Sequence, residues 1–102
     1  MTRSFMALVL FCAMSAAQAQ DAATLQARSL AANCANCHGT LGAARGAMPR
    51  LAGMPADTLV ATMNAFKTGA RPATLMHQIA KGYSDEQIKL MASYFAAQGA
   101  AK

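Results

Sequence analysis

Side chains that build most active sites and metal sites are scarce in this chain. Its 102 residues include four acidic side chains, two histidines and three cysteines. A structural zinc site needs four cysteine or histidine ligands. After residue 19, only His77 could contribute one outside a single short cluster. The adjacent acids Asp85 and Glu86 are typical of the first turn of a helix, where negative charge stabilises the helix dipole. The sequence therefore argues against a structural zinc site and against acid–base catalysis.

Long runs of one kind of residue are also missing after residue 19. No apolar stretch there is long enough to span a bilayer, and none alternates in the way that predicts a strand. Basic side chains are spread along the chain without interleaved aromatic residues, which argues against nucleic-acid binding. Eight basic and four acidic residues remain after residue 19 and leave a formal charge of +4. That charge fits the steering of a partner or an ordinary solvated surface.

The N-terminus has the pattern of an export signal. A basic residue precedes an apolar run over residues 5–14, and Ala17-Gln18-Ala19 fits an A-x-A cleavage signature. We expect residues 1–19 to be a signal peptide and residues 20–102 to form one small domain in the periplasm. An uncleaved membrane anchor is the alternative.

Two cysteines remain after residue 19, and both lie in the cluster Cys34-Ala35-Asn36-Cys37-His38. C-x-x-C-H is the attachment sequence for c-type haem. Each sulfur can form a thioether with a haem vinyl group, and the adjacent histidine can bind the iron. A thioredoxin-like dithiol would need a βαβ pattern nearby, which the sequence lacks. We therefore predict a single covalent haem c, because the motif occurs once, and one-electron transfer as its use.

The remaining pattern is helical and predicts an all-α fold of short helices around that haem. A helix is expected over residues 21–32 and an irregular, glycine-containing loop over residues 39–53. Pro55 suits the first position of the next helix, and residues 72–80 predict a loop with a short helical piece. Ser84-Asp85-Glu86-Gln87 is a capping box for the last helix. A domain this small has a thin core, so we expect the protein without haem to be poorly folded.

A second axial ligand is expected if the haem transfers electrons, and methionine there raises the reduction potential. The candidates after residue 19 are Met48, Met54, Met63, Met76 and Met91. Met63 and Met91 fall in apolar helical stripes, which favours core packing, and the first two lie close to His38 in the sequence. Met76 is well separated from His38 and precedes the last helix, so we predict Met76 as the ligand.

His77 is the rival of Met76, and a bis-histidine iron would have a lower potential. Adjacent residues of a helical turn point to different sides, so only one of the two can face the iron, and we expect His77 to face solvent. An open five-coordinate iron is the third possibility.

His38 should bind iron through Nε2 and donate its Nδ1–H to a backbone carbonyl, because such bonds fix the ring of a metal ligand. Pro49 in the following loop is our candidate for that carbonyl. A simple turn-forming proline is the alternative.

In the order of these features the chain resembles a class I cytochrome c over residues 21–98. The resemblance implies that the first and last helices cross and pack, with Leu30 against Tyr94 or Phe95. It also implies haem attachment outside the bacterial cytoplasm.

Three segments have a narrower resemblance, to the cytochrome subunit of flavocytochrome c sulfide dehydrogenase: MPRLAG (residues 48–53), AFKTGARPAT (65–74) and IAKGYSDE (79–86). In that family the haem subunit takes electrons from an FAD-bearing subunit that oxidises sulfide in the periplasm. The resemblance implies a flavoprotein partner, with FAD only on that partner. It also implies thioethers at Cys34 and Cys37 and iron ligation by His38 and Met76.

Many members of that family carry two haem domains, whereas this chain has one. A free soluble monohaem cytochrome c, shuttling electrons between respiratory or photosynthetic complexes, is therefore the alternative function. A haem sensor or a peroxidase-like enzyme is a third and would require an open iron site.

Overall fold

The structure is a computed structural model that describes residues 21–99. The predicted signal peptide, residues 1–19, lies outside the described residues. Helix α1 covers residues 21–32 of the described chain. It is followed by α2 (Ala35–His38), a 3-10 turn (Thr40–Gly42), α3 (Ala56–Thr68), α4 (Met76–Lys81) and α5 (Asp85–Ala97).

The prediction of an all-α fold is confirmed, since no strand occurs between residues 21 and 99. The short helical piece expected before Gly82 is α4. Within the same range, no helix combines the length and the hydropathy needed to cross a membrane.

Helix α5 begins at the capping box that the sequence predicts. Ser84 Oγ accepts a hydrogen bond from the Gln87 backbone N–H at 3.2 Å, and the Ser84 N–H donates to Gln87 Oε1 at 2.9 Å. These bonds satisfy two backbone donors that a helix N-terminus leaves without partners. The start of α5 is thus fixed by local sequence.

Helix α3 begins one residue later than the sequence indicates. Pro55 has a ψ of 138°, outside the helical range, and precedes the first helical residue, Ala56. The helix ends where Gly69 adopts the left-handed conformation, with a φ of 79°. Glycine adopts this conformation without the steric cost that a Cβ atom adds.

The core lies where α1, α3, α4 and α5 meet. Leu30 and Tyr94 pack against the buried cluster, as expected for first and last helices that pack together. Met63 and Met91 are buried in it, which confirms their predicted role in the core. The cluster consists of Ala31, Leu59, Met63, Ala80, Ile88, Met91, Ala92 and Phe95. Three of these eight residues are alanines, so the core is thin.

The loop over residues 39–53 was expected to be irregular. It is held in place by contacts with α5 that its glycines allow. Gly42 has a φ of 74°, and a Cβ atom there would lie 2.7 Å from Cδ1 of Phe95. The Gly53 N–H donates to the Phe95 carbonyl at 2.9 Å. A Cβ atom on Gly53 would lie 2.7 Å from the Cα atom of Gly99. Only glycine allows the two backbones to approach this closely.

Candidate functional site

The cysteine–histidine cluster forms a single helical turn directly after α1. The Cys34 N–H donates to the Ala31 carbonyl at 3.0 Å, and the His38 N–H donates to the Cys34 carbonyl at 2.8 Å. Gly39, with a φ of 82°, ends the turn. Both sulfurs are free thiols; Cys34 is half-buried and Cys37 is exposed. The spacing of the motif thus places two sulfurs and one imidazole on one short turn.

His38 has one ring nitrogen engaged and the other available. The ring is buried, with 7% of its surface exposed, and Nδ1 lies 2.7 Å from the Pro49 carbonyl oxygen. A carbonyl can only accept, so Nδ1 carries the proton, and in the neutral imidazole Nε2 then holds the lone pair. Within residues 21–99 no hydrogen bond engages Nε2. The structure thus contains the expected bond to Pro49 and leaves Nε2 free to bind a metal.

The Pro49 carbonyl is positioned by the loop that contacts α5. Just after Pro49, the N–H groups of Leu51 and Ala52 both donate to the Gly42 carbonyl, at 2.9 and 3.0 Å. Gly42 in turn packs against Phe95. The orientation of His38 therefore depends on the contact of Gly42 with α5, a helix distant in the sequence. This dependence was not predicted from the sequence. The cluster of glycines was its only signal.

Met76 occupies a different kind of position. It is the first residue of α4, is half-buried and packs against the core cluster, whereas Met48 is 43% exposed. Met54 also lies partly buried beside the core. Ligation of iron by Met76 stays a prediction.

The expectation that His77 faces solvent is wrong. The residue is half-buried, and its Nδ1 is fully buried without a hydrogen-bond partner among the described residues. The physical reason is that α4 packs on α3, which places His77 beside Phe66 in the wall of a surface depression. A segment expected to be mostly loop gives no periodicity from which that packing could be predicted.

The two thiols differ in their electrostatic surroundings. Burial, and secondarily repulsion from Cys37, raise the pKa of the Cys34 thiol. Cys34 is thus held in its neutral form before attachment of a cofactor. A thioether at Cys34 would not titrate.

These residues fit a covalently attached haem. Two free sulfurs and one open imidazole nitrogen are the donors that such attachment uses. Large exposed apolar side chains lie close in the sequence to the proposed iron ligands. Leu41 (51%) and Met48 (43%) follow His38, and Leu75 (63%) and Ile79 (42%) lie on either side of Met76. Apolar surface next to the donors is what a large apolar macrocycle requires.

Comparison with known families matches residues 25–98 to cytochrome c. The cytochrome subunit of sulfide dehydrogenase from Chlorobaculum tepidum is 39% identical over 66 residues, which are 65% of this chain and 60% of that protein. The thiosulfate dehydrogenase electron acceptor of Stutzerimonas stutzeri is 43% identical over 70 residues, covering 65% of this chain and 32% of that protein. The chain thus spans less than two thirds of the length of these two relatives.

Two further proteins are similar. Cytochrome c-554(548) of Halomonas halodenitrificans is 38% identical over 69 residues, which cover 64% of this chain and 83% of that protein. A solved structure of cytochrome c4 from Acidithiobacillus ferrooxidans superposes with a TM-score of 0.60 at 39% identity. That match covers 63% of this chain and 38% of the cytochrome c4 chain.

Proposed function

The chain belongs to the cytochrome c family, and from that premise we propose that it is the haem subunit of a periplasmic, FAD-dependent sulfide dehydrogenase. Family membership itself assigns electron transfer and one covalently bound c-type haem. The proposal adds three points: the electron donor is an FAD-containing subunit, the substrate of that subunit is sulfide, and the compartment is the periplasm.

The residues have distinct roles toward the cofactor. When bound, the haem supplies one-electron redox chemistry at its iron. Cys34 and Cys37 would hold it covalently through their sulfurs. His38 offers Nε2 to the iron, and the Pro49 carbonyl keeps the ring in one orientation and one tautomer. Met76 would supply the second protein ligand to the iron.

The observation that carries the proposal is the free Nε2 of His38 beside two free thiols on one helical turn. The choice of donor is supported by the Chlorobaculum tepidum relative, whose name places it in a sulfide dehydrogenase. The compartment is supported by the export pattern of residues 1–19.

A free monohaem carrier is the second candidate. The Halomonas halodenitrificans cytochrome favours it, because the match covers 83% of that protein. A similar domain therefore makes up nearly the whole of that relative.

Co-expression of the full chain, haem-maturation machinery and the FAD-binding subunit of a sulfide dehydrogenase distinguishes the two candidate functions. We expect co-purification at a fixed ratio, flavin absorbance beside the haem bands, and haem reduction on addition of sulfide. The matched control is the haem protein alone, which sulfide should reduce far more slowly. Haem bands without a bound flavoprotein, and equal reduction rates with and without it, would reject the subunit and favour the free carrier.

A further inference from the structure

A surface depression of about 270 Å³ lies where the end of α3 and the turn after it meet α4. Its lining residues are Phe66, Lys67, Thr68, Gly69, Arg71, Pro72, Ala73, His77 and Lys81. None of the predicted haem-site residues is among them. Water occupies roughly 30 Å³ per molecule in the liquid, so the depression has room for a four-oxygen ion and several waters.

The charge of the lining is of one sign. Lys67, Arg71 and Lys81 are cationic, and no acidic residue belongs to the lining. Lys67 is partly neutralised, since its Nζ lies 3.3 Å from Asp85 Oδ1 and donates to the Tyr83 carbonyl at 2.7 Å. Among residues 21–99, neither Arg71 nor Lys81 has an acidic partner. At least two positive charges are therefore uncompensated.

Helix dipoles account for only part of this arrangement. Lys67 and Lys81 lie in the last turns of α3 and α4, where a cation offsets the partial negative charge of the helix end. Arg71 lies beyond the end of α3 and has no such role.

Arg71 is also held in place before any ligand binds. Its backbone N–H donates to the Ala65 carbonyl at 3.1 Å, and its guanidinium carbon lies 5.3 Å from the centroid of the Phe66 ring. Within residues 21–99 no hydrogen bond or ion pair engages the Arg71 guanidinium, so its N–H edges remain available to a ligand. Those edges match two oxygens of one anion, and fixing the group in advance lowers the entropy lost on binding.

One residue of the lining, His77, has a polar atom without a hydrogen-bond partner in residues 21–99. His77 Nδ1 is buried without a partner within the described residues, whereas most buried polar atoms in proteins are paired. His77 therefore adds a polar side chain to the lining of the depression.

We propose that this depression binds a small multivalent oxyanion of the sulfate, phosphate or thiosulfate type. Arg71 and Lys81 are the principal donors, and Lys67 adds charge. This inference is independent of the flavoprotein partner, because it requires only the α3–α4 contact.

Isothermal titration of the purified holoprotein with potassium sulfate, phosphate or thiosulfate tests it, with chloride holding the ionic strength constant. We expect saturable binding of one ion with a dissociation constant of about 1 mM. Arg71→Gln and Lys81→Gln should each weaken binding about fivefold to tenfold, since each removes a charge-assisted hydrogen bond. The matched control is Lys89→Gln, which removes an exposed lysine paired with Glu86 outside the depression.

Two further variants and probes keep the test decisive. Arg71→Lys keeps the charge and loses the planar fork, so it should weaken binding even where Arg71→Gln fails to fold. No saturable heat up to about 50 mM sulfate overturns the proposal. Equal weakening by Lys89→Gln also overturns it, because that pattern is general charge screening. Acetate binding as tightly as sulfate would show that the site does not select multivalent oxyanions.

Discussion

On the His38 side of the predicted haem site, formed by α2 and the 39–53 loop, backbone hydrogen bonds and close glycine contacts hold the chain. The Met76 side, formed by residues 70–82, is held mainly by the packing of the short helix α4. His38 has a hydrogen bond that fixes its ring, whereas the residue that precedes α4, Leu75, provides no side-chain cap for the helix. The comparison indicates that attachment and orientation depend on the His38 side. The Met76 side can change while the cofactor stays attached.

The largest effect is expected on the His38 side. Cys34→Ala combined with Cys37→Ala should abolish covalent haem attachment, because no sulfur remains to form a thioether. Haem staining after denaturing electrophoresis measures this directly. The control is Asn36→Ala between the two cysteines, whose side chain makes only a long 3.4 Å hydrogen bond to the Asn33 carbonyl. Covalent haem retained in the double variant would contradict the assignment.

The corresponding change on the Met76 side should be milder. Met76→Ala should leave the haem attached and remove the weak far-red band of methionine–iron(III) ligation. The potential should fall on the order of a hundred millivolts or more, within the roughly 0.8 V that axial ligands span. Met48→Ala, at an exposed methionine, should keep the far-red band. An unchanged potential in Met76→Ala would mean that another residue binds the iron.

A third change measures how far the His38 side depends on α5. Gly42→Ala places a Cβ atom against the Phe95 ring at a φ of 74°, whereas Gly46→Ala, at a φ of 79°, meets no atom within 4 Å. Both variants carry a backbone cost of about 1 kcal/mol, and overpacking adds roughly 1–3 kcal/mol at Gly42 only. Urea unfolding of the two holoproteins gives the difference. Equal unfolding free energies would show that the Gly42–Phe95 contact does not hold the loop.

The smallest effect concerns the end of α4. Lys67→Met removes the bonds from Nζ to the Tyr83 carbonyl and Asp85. Because the lysine side chain is 24% exposed, we expect a loss of about 1 kcal/mol and earlier loss of the far-red band during urea unfolding. Lys89→Met, at an exposed ion pair with Glu86, should have no measurable effect. If the two variants unfold alike, the Lys67 bonds do not stabilise the Met76 side.

The features that are local in the sequence were predictable. The haem motif, the capping box at Ser84 and the apolar stripes holding Met63 and Met91 depend on residues within a few positions of one another. The Pro49 carbonyl could be anticipated because the proline lies in the loop that follows the histidine. Each of these follows from spacing along the chain.

Features created by packing between helices were not predictable. The approach of Gly42 to Phe95 and the burial of His77 against α3 depend on residues far apart in the sequence. The same holds for the charges around the depression, which the α3–α4 contact brings together. Sequence periodicity describes one helix at a time, so it cannot indicate which faces meet.

A redox titration of the wild-type holoprotein, followed in the haem bands and in the far-red band, tests the central claim most directly. One covalent haem between His38 and Met76 predicts a single one-electron transition, with the far-red band present in the oxidised protein. Two transitions, or an oxidised protein without the far-red band, would contradict that account.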